Sequence, residues 1–400
     1  MLLIDNKELL LGPDESVVLA ATSNAHVREA NAAFLSRGDL TTRQLRKKCV
    51  HVLQNETASV EYQVDDAVVA SDDATTCVIV VVVCQATGLV SIAHLDEQTS
   101  KSDACFRKLM SHHLGGRHCT YDAYVVGGMV EDTLVGLRTS SSLLDHMVKS
   151  PGRFNLRLCC VSSENTCERT GQPLARSFAF DPLTQSTYHV SAPTSREAGP
   201  ATAAAAVPLI QVCKGKRTNR DCGAVPPLLA TPAADQRGPG LEQRLAQYWL
   251  NDHGEGFADL ATVYDTWDQK YVLAGRICTV PRWLMVSYSY LLTLSDAELL
   301  EKTSTTPRYE GENFCLDVRM ALGFILKQQE VFTIHTRSFV WDPVGRMWME
   351  VSSDKKLRRG EGATTSCLEE PKVDIPGSSW SYTSLVDLEK EHLAAAAAQT

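Results

Sequence analysis

The spacing of apolar positions along the chain changes character twice. In the first sixty residues it is helical: "SNAHVREANAAFLSR" sets Val27, Ala30 and Phe34 on one face behind Ser23 or Asn24 as the N-cap. "TTRQLRKKCVHVLQ" continues in the same vein, with an end that also fits a strand. From Val68 the period shortens. "VVASDDATTCVIVVVVC" and "LVSIAHL" read as two strands joined by a short loop at Gly88. Lys101 to His113 reads as a helix, "YDAYVVGGM" as a strand ending in a glycine pair, and "EDTLVGLRTSSSLLDHMVK" as a helix begun by acids. "FNLRLCCVS", "ARSFAFDP" and "STYHVSA" are further strands, the last two joined by the turn "DPLTQ".

Residues 192–240 break this order. They are rich in Ala, Pro, Gly and polar residues, a composition that does not bury a core, and are expected to be a largely disordered low-complexity insertion. Periodicity resumes with the helix "LEQRLAQYWL" and the hairpin "FADLATVYDTWDQKYVLAG", which turns at Asp265 to Gln269. "SDAELLEKTST", capped by Ser295, and "ENFCLDVRMALGFILKQQ" are helices, and "FTIHTRSFVWDPVGRMWMEVS" is a closing hairpin. Residues 354–400 are charged, then rich in Ser and Gly, and end in an alanine run, as expected of a flexible tail. Strands and helices mix irregularly and no repeat is visible. The expectation is therefore an α+β fold, with residues 1–353 as one domain that carries the insertion.

Composition narrows the functional classes. Four hundred residues, 44% of them hydrophobic and 22% charged, support a sizeable globular core. A net charge of -9 argues against nucleic acid or an anionic membrane as partner, since such surfaces attract a basic excess. The basic runs Arg43 to Lys48, Lys214 to Arg220 and Lys355 to Arg359 are short and read as solvated loops. The longest apolar run, "CVIVVVVC", is far below the ~20 residues of a membrane span. Thirteen cysteines form no CxxC pair, and "MLLIDNKELLLGPDE" is too interrupted by charge for a secretory signal. The expectation is reduced thiols in the cytoplasm, with the nucleus as an alternative. "HHLGGRHC", His112 to Cys119, has metal-ligand residue types without paired spacing and reads as a loop; His335 in "TIHTR" reads as structural. No GxGxxG, P-loop or GxSxG element occurs, and neither cofactor nor metal is expected.

The polar break ahead of the β-branched run carries the chemistry. In "SDDATTCVIVVVVCQATGLVSIAHLD", Cys77 opens one strand and His94 closes the next. A returning hairpin brings such ends side by side at a spacing of ~5 Å, which is how a sheet edge builds a Cys–His dyad. Imidazole is the usual activator of a thiol near neutral pH. A cysteine beside a Val-rich strand also serves as a small buried hydrophobe, and a lone histidine as a satisfied core residue. Ser71, Asp72, Asp73, Thr75 and Thr76 bond local backbone and favour a defined turn. Two carboxylates raise the pKa of a neighbouring thiol, so Asp72 and Asp73 must serve something else. They suit a cation such as a peptide α-ammonium, or an exposed acidic tip.

"SDDATTC", the β-branched strand after it, "TG", and an apolar stretch with His together resemble the protein N-terminal asparagine amidohydrolase family. "VVGG" at Val125 to Gly128 is similar to that family's glycine pair after a strand, and "LEKTSTTP" at Leu300 to Pro307 to its "ENLSTSP". The likeness covers most of Leu3 to Ser353; the insertion, the tail and the residues before Ser71 depart from it. The resemblance implies an α-β-β sandwich like the toxin-deamidase and laccase-like cysteine hydrolases. It implies Cys77 as nucleophile, His94 as base and a serine that orients the imidazole, for which Ser71 inside the motif is preferred to Ser59 upstream. The implied reaction deamidates an N-terminal Asn of a peptide or protein to Asp through a Cys thioester, with release of ammonia. Asp72 or Asp73 would read the α-ammonium, with Thr76, Gly127 and Gly128 near the substrate. Downstream, the resemblance implies arginylation of the new N-terminal Asp and protein degradation (the N-degron route). The alternatives are another Cys–His deamidase on the same scaffold, or a catalytically silent binder of peptide N-termini.

Overall fold

Val78–Cys84 is buried along its whole length, and the reason is that both of its faces are covered. The computed structural model describes residues 1–12, 15–37, 48–113, 119–188, 237–252, 260–304, 306–311, 313–345 and 347–351. All of them fall in one compact unit, Met1–Ser353. The expected tail and most of the expected insertion lie outside the described residues, as do nearly all of the three basic runs and the middle of "HHLGGRHC".

In chain order the elements are β1 (Leu2–Ile4), β2 (Lys7–Glu8), α1 (Val17–Ser23), α2 (Ala25–Leu35), β3 (Lys48–Val52), β4 (Glu56–Glu61), α3 (Tyr62–Asp65) and β5 (Ala67–Ser71). Then come β6 (Val78–Cys84), β7 (Leu89–Leu95), α4 (Glu97–Lys101), α5 (Asp103–Leu109), β8 (Thr120–Met129), α6 (Val135–Lys149), β9 (Arg153–Ser162), β10 (Phe178–Asp181) and β11 (Ser186–Tyr188). The C-terminal half holds α7 (Leu241–Asp252), β12 (Ala261–Asp265), β13 (Lys270–Leu273), β14 (Arg276–Thr279), α8 (Arg282–Thr293), α9 (Asp296–Thr303) and α10 (Phe314–Leu326). It closes with β15 (Val331–Ile334), β16 (Arg337–Asp342) and β17 (Met347–Val351). Helices with a large mixed sheet make the fold α+β.

Among the described residues, eleven strands form that sheet in the order β17-β16-β13-β12-β4-β7-β6-β8-β9-β1-β2. A second sheet has the order β11-β10-β5-β3, and β14 pairs with β15 alone. Side chains alternate across β6, and the two faces enter different cores. Val78, Val80 and Val82 pack with α1, α5 and α6 through Val18, Leu109 and Leu143. Ile79, Val81 and Val83 pack with the second sheet through Val50, Val69, Phe178 and Phe180. A third cluster joins α7, α8, α9 and α10 through Ala246, Tyr288, Leu299 and Leu322. Arg244 anchors α7 to the sheets: its guanidinium donates to Glu56 Oε1 at 3.0 Å and to the His51 carbonyl at 2.8 Å, all buried.

Several expectations need correction. The first residues are strands, because Leu2–Ile4 completes the sheet edge beside β9, a contact that three residues cannot announce by their period. "CVHV" takes the strand alternative that its sequence left open: it is β3, paired in parallel with β5. Lys101 to His113 is two short helices with a break at Ser102, which caps α5 by accepting from the Cys105 N–H at 3.3 Å. The helix Arg282–Thr293 was not foreseen from the sequence. Most consequential, "VVASDDATTCVIVVVVC" is not one strand. It ends β5 in the small sheet at Ser71, crosses between sheets over Asp72 to Cys77, and starts β6 in the large one.

The glycine pair holds that crossing in place. Gly128 N–H donates to the Cys77 carbonyl at 2.7 Å, and Met129 N–H to the Thr75 carbonyl at 3.0 Å. Gly127 has φ +119°, and a Cβ there would lie 2.3 Å from the Cys77 oxygen. Gly127→Ala is therefore expected to cost about 2 kcal/mol or more, seen as a lower midpoint in urea unfolding; an unchanged midpoint would refute this packing.

Candidate active site

The register of the central hairpin sets which side chains meet. Ile79 pairs with His94, so Cys77, two residues before Ile79, lies on the same face as His94 and diagonal to it. The pair is thus one step offset from directly opposed. Cys77 and His94 line one cavity of about 380 Å³, together with Asp72, Asp73 and Thr76. Ser71 approaches the imidazole from the end of β5, in the other sheet.

Hydrogen bonding fixes the imidazole tautomer. Ser71 Oγ lies 2.7 Å from the Val52 carbonyl and 2.9 Å from His94 Nδ1. A carbonyl only accepts, so the single hydroxyl proton goes to Val52. Ser71 Oγ must then accept from Nδ1–H, which leaves the Nε2 lone pair free. Nε2 is buried and has no hydrogen-bond partner among the described residues. Ser59 goes elsewhere: its hydroxyl meets that of Ser91 at 2.7 Å, and Ser91 meets His113 Nε2 at 2.9 Å.

Burial keeps this pair neutral in the free protein. It lowers the His94 imidazole to about 4, although Asp72 favours the charged form. Burial also pushes the Cys77 thiol well above its ordinary value, with Asp96 and Glu310 adding to the rise and a hydrogen bond from Thr76 opposing it. The arrangement is a protonated thiol and a neutral imidazole with a vacant nitrogen, both on the wall of one cavity.

The acids of the cavity are not equivalent. Asp72 Oδ1 is 3.2 Å from His51 Nε2. Burial raises the Asp72 carboxyl, but His51 and Arg237 outweigh it and hold it down at about 2. Arg237 makes a two-pronged bond to Asp317, both contacts at 2.6 Å, and stands 3.9 Å from Asp73. Asp73 takes the left-handed conformation, φ +56°, which aspartate tolerates. Burial, then Asp72, pushes its carboxyl up to about 7. Asp96 is spent on local structure, accepting from Thr99 N–H at 2.8 Å and Asn55 Nδ2 at 2.9 Å. Gly127 and Gly128 do not line the cavity; they stand behind Cys77 as its backbone support.

The C-terminal half supplies a wall that the sequence did not disclose: Arg237, Tyr248, Trp249, Glu310, Phe314 and Asp317. Arg237 falls inside the span expected to be an insertion, 192–240, yet it is buried and ion-paired. The resembling stretch "LEKTSTTP" stops at Pro307, three positions short of Glu310. Among the described residues, no group of three or more His, Cys, Asp or Glu side chains is placed to hold a metal ion.

The model of the family described as protein N-terminal asparagine amidohydrolase matches residues 40–218 and 212–342, two segments that meet within the low-complexity span. An Arabidopsis thaliana protein named protein N-terminal asparagine amidohydrolase is 25% identical over 319 residues, 78% of this chain and 83% of that protein.

Neutrality of Cys77 has a direct test. Cys167 is half-buried, and hydrogen bonds from Thr170 and the Arg169 backbone lower its thiol. Brief iodoacetamide treatment at about pH 7.5 should label Cys167 ahead of Cys77, because thiolate is the reacting form. Peptide mass mapping reads the order; Cys77 reacting first would mean that a thiolate–imidazolium pair already exists.

Proposed function

From the premise that the chain belongs to the protein N-terminal asparagine amidohydrolase family, hydrolases of an amide C–N bond, we propose that it converts an N-terminal Asn to Asp with Cys77 as nucleophile. The observation that carries this reading is the Ser71–His94 bond, which leaves Nε2 vacant beside a cavity that Cys77 lines.

In this reading Nε2 takes the thiol proton as sulfur attacks the side-chain amide carbon. The neutral pair becomes charged only as the oxyanion forms, so burial penalises no resting charge. Backbone N–H groups around Cys77 stabilise the oxyanion; one such donor contributes ~3 kcal/mol. His94 returns its proton to the departing nitrogen, and ammonia leaves a thioester. Water gives a proton to Nε2 and attacks the thioester carbon; the thiolate departs, His94 reprotonates it, and the product side chain is Asp. Ser71 holds the ring throughout, Thr76 bonds the sulfur, and Asp73 reads the α-ammonium, since Asp72 is already engaged by His51 at 3.2 Å and lies in the field of Arg237. Helices on one face of the large sheet and a small sheet on the other support an α-β-β sandwich like the toxin-deamidase and laccase-like cysteine hydrolases. The ten described cysteines carry free thiols, in keeping with a reducing compartment such as the cytoplasm. The Asp product would pass to arginylation and protein degradation.

Ammonia release from Asn- and Gln-started peptides tests the reading. Release from Asn, with Cys77→Ala at least about 10⁴-fold slower, is expected; release from Gln alone would reject it. Ser71→Ala should lower kcat about 100-fold with little change in KM, because it unseats the base and not the substrate.

The pH profile follows from the acid. Below about 7 the Asp73 carboxyl is protonated and offers no charge to the ammonium, so kcat/KM should rise through that pH. It should fall above ~8 as the substrate amine deprotonates. Asp73→Asn should remove the limb near 7 and expose one near the His94 value of about 4. A limb near neutrality that survives Asp73→Asn would contradict this assignment.

A further inference from the structure

Glu310 is a cavity residue to which the sequence reading gave no role. Along with Asp96, its charge pushes the Cys77 thiol up. Asp96 is committed to capping α4. Glu310 is held on one side only: Oε1 accepts from the Ser304 hydroxyl and from Thr306 Oγ1 at 3.3 Å. Oε2 accepts no hydrogen bond from the described residues. Arg176 is the neighbouring cation: its Nη2 donates to Gln172 at 3.1 Å, and its Nη1 lies 3.7 Å from where a Gly311 Cβ would stand. A carboxylate oriented through one oxygen, with the other unpartnered at the wall of a cavity, is prepared for a cationic ligand.

Covalent geometry says how near that ligand must be. In an N-terminal Asn the α-nitrogen lies about 3–4 Å from the side-chain carbonyl carbon. Whatever binds the ammonium therefore stands near the attacking sulfur; Glu310 lines the same cavity as Cys77 and its charge acts on the thiol, whereas Asp317 is tied to Arg237. The neighbouring residue supports a shared site: a Cβ at Gly311 would fall 2.5 Å from Asp73 Oδ1. Glycine there lets the Asp73 carboxylate lie against the backbone next to Glu310. An ammonium has three donors and can use both acids.

We propose that Glu310 binds the α-ammonium of the substrate directly, with Asp73 as second acceptor, and so sets the requirement for a free N-terminus. This rests on the amidase reading for the identity of the substrate, but not on turnover. The test is binding to full-length Cys77→Ala by calorimetry, with an Asn-started peptide and its N-acetyl form as probes, alongside ammonia release by the protein with Cys77 intact. Cys77→Ala should bind the free-amine peptide about 100-fold more tightly than the acetylated one, and Glu310→Gln in that background should erase the preference. Glu310→Asp should restore part of it, which a merely structural role would not. A preference that persists in Glu310→Gln, or that only Asp73→Asn abolishes, would overturn the proposal. A preference lost with Glu310 in a protein that releases no ammonia would uphold Glu310 and reject the amidase reading.

Discussion

One hydroxyl proton organises the site. Ser71 gives it to the Val52 carbonyl, within the small sheet, and so can only accept from the His94 ring, which belongs to the large sheet. That bond spans the interface between the two sheets at a point where every partner is buried. It fixes the tautomer and the ring plane with neutral groups only, so no desolvated charge has to be stabilised in the resting state. The vacant Nε2 follows from it, and with Nε2 the possibility of a base.

The crossing from Ser71 to Cys77 makes that bond possible. Six residues, Asp72 to Cys77, carry the chain from one sheet to the other. The Gly127–Gly128 pair lets β8 approach closely enough to hold the Cys77 and Thr75 carbonyls. Cys77 and His94, the proposed nucleophile and base, are therefore placed by backbone packing on both sides. Around them the cavity is acidic but graded. Asp317 is paired with Arg237 and Asp72 with His51, whereas Asp73 and Glu310, both raised by burial, have only looser cationic neighbours in Arg237 and Arg176. A cation fits best beside the looser pair, and the α-ammonium of a chain end is the cation that an N-terminal amidohydrolase meets.

The local pattern of the N-terminal half was legible because its strands are long and β-branched. The hairpin β6–β7 and the residues Ser71, Cys77 and His94 could be picked out from a motif spanning fewer than thirty positions, and the glycine pair of β8 from "VVGG" farther along. The strands of the closing hairpins, with their turns, were readable for the same reason. Short edge elements were not. Leu2–Ile4 is a strand because a neighbour is there to pair with, not because of its own period; Lys48–Val52 fitted helix or strand until its partner β5 decided.

What the sequence determined by itself was the chemistry on offer: a thiol, an imidazole and a serine within one motif, in a chain with an α+β pattern and acids beside the thiol. Tertiary structure alone decided how these are used. It split the apparent first strand between two sheets, which turned Ser71 towards His94. It also brought Arg237, Glu310 and Asp317 into the cavity from about 140 or more positions away. Cross-strand alternation and hydrogen-bond capacity are local properties, so the sequence displays them; which charges neutralise one another depends on distances through space, and those exist only once the sheets and the C-terminal helices have packed.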